Sequence, residues 1–172
     1  GFLPFSPAPA LVGHCIPIDP HYLSWKLKSL NYYARFIELA GDINSQMPEY
    51  VVKRIGDMLN DRFAKSLNKS SVLVLGVAYK KDIKDMRESP ALDVIKLLED
   101  KGAKVSYNDL FVQVFKCNDT THKSVKLTEK LIKSADLVVI TTNHTQYDYE
   151  MIVKNAKAVF DTRNATKAVK SF

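Results

Sequence analysis

Val72-Leu73-Val74-Leu75, closing on Gly76, points to the fold class. Four consecutive apolar residues suit a strand buried on both faces, because a strand with one wet face would alternate apolar with polar. Outward from it, Ser89-Pro90 opens a helix whose apolar positions are Leu92, Val94, Ile95, Leu97 and Leu98, stopped by Gly102. Lys104-Val105-Ser106-Tyr107 reads as a second strand, Leu137-Val138-Val139-Ile140 as a third, and Ala158-Val159-Phe160, ending at Asp161, as a fourth. Between them Thr128 and Glu129 open a helix through Leu131 and Ile132, and Asp148 can cap one containing Met151, Ile152 and Val153. Strands alternating with helices of this length imply βαβ units, hence an α/β fold with a doubly wound parallel sheet. Residues 109–123 show no clear period and read as an irregular loop.

Upstream the pattern is helical. Asp19 can cap a helix whose first turn suits Pro20, with Leu23, Trp25, Leu27 and Leu30 following. After Asn31 a longer helix is expected, with Phe36, Leu39, Ala40, Ile43, Met47, Val51, Ile55, Met58 and Leu59 at helical spacing and a kink or break at Pro48. The chain therefore divides into a helical segment, 1–68, and an α/β segment, 69–172.

The 172 residues hold no apolar run long enough to span a membrane, and residues 1–11 lack the basic start of a signal peptide. No Met begins the chain, which reads as a piece of something longer. Two cysteines, Cys15 and Cys117, make neither a disulfide framework nor a zinc pair, which suits a reducing, cytoplasmic setting. The net charge of +6 falls entirely after residue 60. Such an excess favours anionic ligands. The lysines are scattered among acids with no nucleic-acid motif, so nucleic acid is not expected as the partner.

In open parallel sheets ligands bind beyond the carboxyl ends of the strands. There the sequence puts Lys80, Lys81, Lys84 and Arg87 after the first strand and Arg163 and Asn164 after the fourth. These are either solvated loop charges or a site for a phosphate-bearing ligand, and the two arginines suit bidentate contacts best. Gly76-Val77-Ala78-Tyr79-Lys80 carries no G-x-G-x-x-G, so a dinucleotide cradle is not expected in this sheet. Elsewhere, Cys15 lies just ahead of a helix start, beside His14 and four residues from Asp19. It is either an inert thiol or an activated thiolate. His14, Cys15 and His21 do not make a sensible metal ligand set, and no metal is expected.

Five motifs run in order along the chain: Gly13-His14-Cys15-Ile16-Pro17-Ile18-Asp19-Pro20, Arg35-Phe36-Ile37-Glu38-Leu39-Ala40, Gly76-Val77-Ala78-Tyr79-Lys80-Lys81-Asp82, Asp85-Met86-Arg87-Glu88-Ser89-Pro90 and Asp161-Thr162-Arg163-Asn164-Ala165-Thr166. Together they resemble the UDP-glucose/GDP-mannose dehydrogenase family, nearest in wording to its UDP-N-acetylhexosamine branch. The resemblance implies a Rossmann-like UDP-sugar-binding domain preceded by the end of a central helical dimerisation domain. It implies oxidation of a UDP-sugar C6 hydroxyl to a carboxylate with two NAD, as in polysaccharide biosynthesis, with UDP-N-acetylglucosamine favoured over UDP-glucose.

By the same matching Cys15 would attack the intermediate aldehyde, giving a thiohemiacetal and then a thioester. Asp19 would position water, Gly13, Tyr79, Lys80 and Arg163 would bind the nucleotide-sugar, and Arg87 would reach the NAD. The family's N-terminal NAD domain is expected as a partner from elsewhere in the same protein, a second copy as the dimer mate, and this chain alone is expected to be inactive. The family's glycine-rich loop ahead of the cysteine here reads Pro7-Ala8-Pro9-Ala10-Leu11-Val12-Gly13. Added Cβ atoms there would crowd a ligand. That departure supports the alternative of a non-catalytic nucleotide-sugar-binding or dimerisation module.

Overall fold

The structure, a computed structural model, describes residues 8–10, 15–16, 18–117 and 120–169. Gly13 and His14 lie outside the described residues, as do Pro7, Leu11 and Val12. In chain order the elements are α1 (Asp19–Lys28), α2 (Arg35–Ser45), α3 (Met47–Phe63), β1 (Ser71–Leu75), α4 (Pro90–Asp100), β2 (Lys104–Asn108), β3 (Val114–Cys117), β4 (Thr120–Lys123), α5 (Glu129–Ser134), β5 (Leu137–Ile140), α6 (Tyr149–Asn155) and β6 (Val159–Asp161).

Four strands pair in parallel in the order β2-β1-β5-β6, with Val72 opposite Val105 on one side and Leu137 on the other. The unbroken apolar runs of β1 and β5 follow from cover on both faces. On one face Val72, Val74, Leu137 and Val139 pack with Val94, Ile95 and Leu98 of α4 and with Val52, Ile55 and Leu59 of α3. On the other, Leu73, Leu75, Val138 and Ile140 pack with Ile132 of α5 and Ile152 of α6. The fold is a doubly wound α/β sheet. Each such fully buried aliphatic side chain contributes roughly 1.5–3 kcal/mol relative to exposure.

The ends of α5 and α6 behave as their sequences predict. Thr128 Oγ1 accepts from the Leu131 amide at 3.2 Å, and Asp148 Oδ1 from the Met151 amide at 2.9 Å. Asp19 does not cap. The Cys15 carbonyl already accepts the Asp19 amide at 2.8 Å, so Asp19 is the first helical residue and Ile18 stands ahead of it. Its carboxylate instead sits in the first turn, where the helix dipole favours negative charge. The long helix expected after Asn31 breaks at Gln46 into α2 and α3. Pro48 then lies in the first turn of α3, where its missing N–H costs nothing.

Residues 109–123 are not wholly irregular. Val114–Cys117 and Thr120–Lys123 form an antiparallel ladder. Its anchor is the buried ring of Phe115, tilted against Tyr107 at 4.8 Å and stacked on His122 at 4.7 Å. Two inward residues on β3, Phe115 and Cys117, with the apolar Val114 turned outward, are too few for a readable period.

The stripe from Phe36 to Leu59 divides at the same break. Val51, Ile55 and Leu59 enter the core of the sheet, whereas Phe36, Leu39 and Ile43 stay exposed. Helices α1 and α2 hold together chiefly by polar links, Ser24 Oγ donating to Glu38 at 3.0 Å and Lys28 pairing with the same carboxylate. Most of their large apolar residues, Tyr22, Trp25 and Phe36 among them, face solvent, while Leu27 and Ile37 are half-buried. No helix among the described residues is long and apolar enough to cross a membrane.

Candidate functional site

The strand order reverses between β1 and β5, so the crevice beyond their carboxyl ends is the sheet's switch point. Two loops meet there, 76–89 after β1 and 141–148 after β5. Gly76 has φ of +82°, and a Cβ on it would lie 2.5 Å from both Cβ and the carbonyl oxygen of Thr142. Only glycine fits that approach. Thr142 Oγ1 donates to the Ala78 carbonyl at 2.6 Å, and Thr141 Oγ1 donates to that of Gly76. The crevice is therefore filled by the protein's own side chains. The two loops touch directly at their bases.

Beneath the loops is a buried polar centre that sequence reasoning did not single out. Asp109 Oδ2 accepts the amides of Val77 at 2.6 Å and Ala78 at 3.1 Å, and Oδ1 those of Phe111 at 2.8 Å and Val112 at 2.9 Å. His144 Nε2 lies 3.1 Å from the same Oδ2. Burial alone would raise this carboxyl; the bonds from His144, Val77, Phe111 and Val112 outweigh it and bring the pKa down to about 2. On the ring's other side the Asp82 amide donates to Nδ1 at 2.9 Å. The Asp82 carboxylate accepts from the Thr145 amide at 2.9 Å and its hydroxyl at 3.0 Å, which holds that acid below its ordinary value. Asp109 is two residues past Tyr107 in a segment without periodicity, and His144 follows a threonine pair. Neither carried a signal beyond its place at a strand end.

Of the expected ligand residues, Tyr79 and Lys80 lie between two points anchored on this centre, Val77 and Ala78 on Asp109 and Asp82 on His144. Tyr79 is half-buried, its amide donating to the Asp85 carbonyl at 2.9 Å, and Lys80 is exposed. Arg87, 75% exposed, turns its guanidinium back on Asp85, Nη2 to Oδ2 at 2.7 Å and Nε to Oδ1 at 3.1 Å. An anion reaching Arg87 must share it with that carboxylate.

Arg163 differs. Asp161 accepts the Arg163 amide at 2.8 Å on one oxygen and the Thr166 amide and hydroxyl, each at 2.8 Å, on the other. Thr162 Oγ1 donates to the Ile140 carbonyl at 2.7 Å, and Asn164 takes the left-handed conformation, φ +53°. The loop thus has a fixed shape with Arg163 half-buried on it, Nε 3.5 Å from Asn143 Oδ1. Among the described residues its guanidinium forms no ion pair, and burial holds it below its ordinary pKa. A half-buried arginine without a carboxylate partner is a ready anion site.

Cys15 and Asp19 are exposed and stand apart from these loops in sequence. What links the two regions is a cavity of about 520 Å³. Ile16, beside Cys15, lines it from one side, Phe36 and Asn44 of α2 from another, and Glu88, beside Arg87, with Asp93 of α4 from a third. Cys15, Asp19, Tyr79, Lys80 and Arg163 do not line it. Cys117 ends β3, half-buried, its thiol pushed up by burial. Among the described residues no group of three or more His, Cys, Asp or Glu could hold a metal ion.

Against known proteins, residues 73–168 match the profile of the UDP binding domain of the UDP-glucose/GDP-mannose dehydrogenase family, and residues 1–46 that of its central domain. The UDP-N-acetyl-D-mannosamine dehydrogenase of Methanococcus maripaludis is 34% identical over 168 residues, covering 92% of this chain and 36% of that protein. The UDP-N-acetyl-D-glucosamine 6-dehydrogenase of Salmonella typhi is 30% identical over 148 residues, 85% of this chain and 34% of that protein. The solved UDP-D-ManNAc dehydrogenase of Pyrococcus horikoshii superposes with a TM-score of 0.76 at 27% identity over 94% of this chain and 37% of its own. The chain thus spans little more than a third of the length of each of these relatives.

Proposed function

The chain belongs to the UDP-glucose/GDP-mannose dehydrogenase family, and from that premise we propose that its strand-end loops bind the nucleotide of a UDP-sugar that a longer protein oxidises at C6. The observation that carries this reading is Arg163, half-buried on a hydrogen-bonded loop with, among the described residues, no carboxylate on its guanidinium. A diphosphate would add negative charge to that of nearby Asp161, and its oxygens match the guanidinium fork. Lys80, exposed on the loop after β1, is the proposed second cation, and Tyr79 the proposed ring contact. Cys15 and Gly13, the latter outside the described residues, are the proposed contacts for the sugar.

Cys15 is the proposed nucleophile toward the C6 aldehyde, since a thiolate attacks carbonyl carbon readily and a thioester hydrolyses readily. Asp19, in the first turn of α1, is the proposed water-positioning group. NAD, when bound, would accept the hydrides; because the switch-point crevice here is filled, the rest of the protein would hold it, with Arg87 as the proposed contact from this chain. For the sugar, the reading moves from N-acetylglucosamine to N-acetylmannosamine. Supporting this, the Methanococcus and Pyrococcus relatives, aligned over nearly the whole chain, are named for the mannosamine.

The test is calorimetry with UDP. Wild-type chain is expected to bind it weakly, and Arg163→Ala and Lys80→Ala to weaken it by about tenfold each, the loss of roughly one charge-assisted contact. No UDP binding, or binding indifferent to Arg163→Ala, overturns the assignment.

A further inference from the structure

His144 is wholly buried, and both of its ring nitrogens are engaged. An amide can only donate, so the Asp82 N–H requires a lone pair on Nδ1. The proton therefore sits on Nε2 and is donated to Asp109 Oδ2. One tautomer follows from the geometry.

The oxygen that receives it also receives the amides of Val77 and Ala78. The imidazole thus connects the base of the loop after β1 to its tip at Asp82. Asp82 has φ of +63°, a region L residues rarely enter, and it is held there by His144 on its amide and Thr145 on its carboxylate. Between the two anchored points lie Tyr79 and Lys80. Phe111 and Tyr147 flank the ring at 5.0 and 5.5 Å and fix its plane.

We propose that His144 is a positioning residue, its Nδ1 lone pair setting the tip of the Val77–Asp82 segment so that Tyr79 and Lys80 meet the nucleotide-sugar. This rests on the reading above that those two residues face that ligand. A histidine that merely fills the core needs only its ring volume. Positioning needs one specific acceptor.

Two variants separate these roles. In His144→Asn the amide oxygen falls near the place of Nδ1, keeping an acceptor for Asp82 and losing the donor to Asp109. In His144→Gln the amide nitrogen falls near the place of Nε2, keeping the donor and losing the acceptor. Both variants and the wild-type chain are compared by amide hydrogen exchange at Asp82 and by UDP titration. His144→Gln is expected to speed Asp82 exchange by at least about tenfold over His144→Asn, as loss of one buried bond does. It is expected to weaken UDP by about tenfold, with His144→Asn within about threefold of wild type. Equal effects of the two variants on both readouts overturn the proposal. If wild type binds no UDP, the nucleotide-sugar reading and the proposal built on it both fail, even if exchange at Asp82 separates the variants. Should either variant fail to fold, ¹⁵N spectra of the wild-type imidazole decide: a proton found on Nδ1 overturns the proposal, and one on Nε2 supports it.

Discussion

Asp109 and His144 meet at 3.1 Å with neither side chain reaching solvent, and the carboxylate is held ionised by four backbone amides besides. Its folded pKa of about 2 lies below the ordinary 3.8. A depressed carboxylate stabilises the fold fully above the unfolded value and loses that contribution as pH falls through the folded one. Unfolding free energy is therefore expected to drop by about 2 kcal/mol from this group between pH 4 and pH 2. Asp136 is also lowered to about 2, chiefly by Lys65, with help from the Ser71 amide and Lys157. Its ion pairs to the exposed lysines weaken in salt, whereas the Asp109 contacts do not. Urea titrations at high salt across that window reduce the Asp136 share, and an Asp82→Asn background removes that of Asp82, whose bonds from Thr145 salt does not screen. A drop completed above pH 5 would assign the transition to another group.

Gly76 gives the second prediction. Gly76→Ala drives a Cβ into the Thr142 backbone at a positive φ, and the cost is expected to be about 3 kcal/mol in urea unfolding. Gly102 has nearly the same φ, +80°, but a Cβ there meets first the Asn68 Oδ1, the end of a movable side chain. Gly102→Ala should therefore cost less, about 1 kcal/mol. Equal costs would mean that φ alone matters and that the contact with Thr142 does not.

These positions also mark what could be read from sequence. Val72–Leu75 and Leu137–Ile140 announced themselves because burial on both faces leaves nothing polar in the run. Asp148 and Thr128 did so because caps obey local geometry. The hairpin carrying Phe115 did not, since two inward residues make no period. Asp109 and His144 stayed hidden for a related reason: they are 35 residues apart, and only the parallel pairing of β1 with both β2 and β5 brings their strand ends together. Arg163 was legible as a strand-end arginine; that it is half-buried without an ion pair among the described residues, while Arg87 folds onto Asp85, depends on loop shapes that no spacing encodes.

The two cysteines give the third prediction. Cys15 is exposed, whereas Cys117 is half-buried and its thiol is pushed up by burial, with the charge of Glu99 adding to the effect. Alkylation proceeds through the thiolate. Iodoacetamide should therefore modify Cys15 at least about tenfold faster than Cys117 in the folded chain, read by peptide mass spectrometry over time. Equal rates would remove the structural ground for treating Cys15 as the accessible nucleophile.

The fourth prediction concerns the divided stripe. Phe36 is 87% exposed, and Leu39 and Ile43 are each more than half exposed, while Ile55 on the next helix is fully buried. Apolar residues repeated along one exposed helix face need cover, and a second copy of the chain is the proposed cover. Phe36→Glu should then shift the chain from dimer to monomer in sedimentation equilibrium while changing the unfolding free energy of the monomer, read at concentrations where wild type is dissociated, by no more than about 0.5 kcal/mol, as for an exposed site. Ile55→Ala should do the reverse, costing about 2–5 kcal/mol in unfolding by opening the core between α3 and the sheet, with little direct effect on association. A wild-type chain that stays monomeric at high concentration would remove the second copy as the occupant of this face. Loss of stability on Phe36→Glu would instead mean that α2 packs more tightly in solution than its exposure indicates.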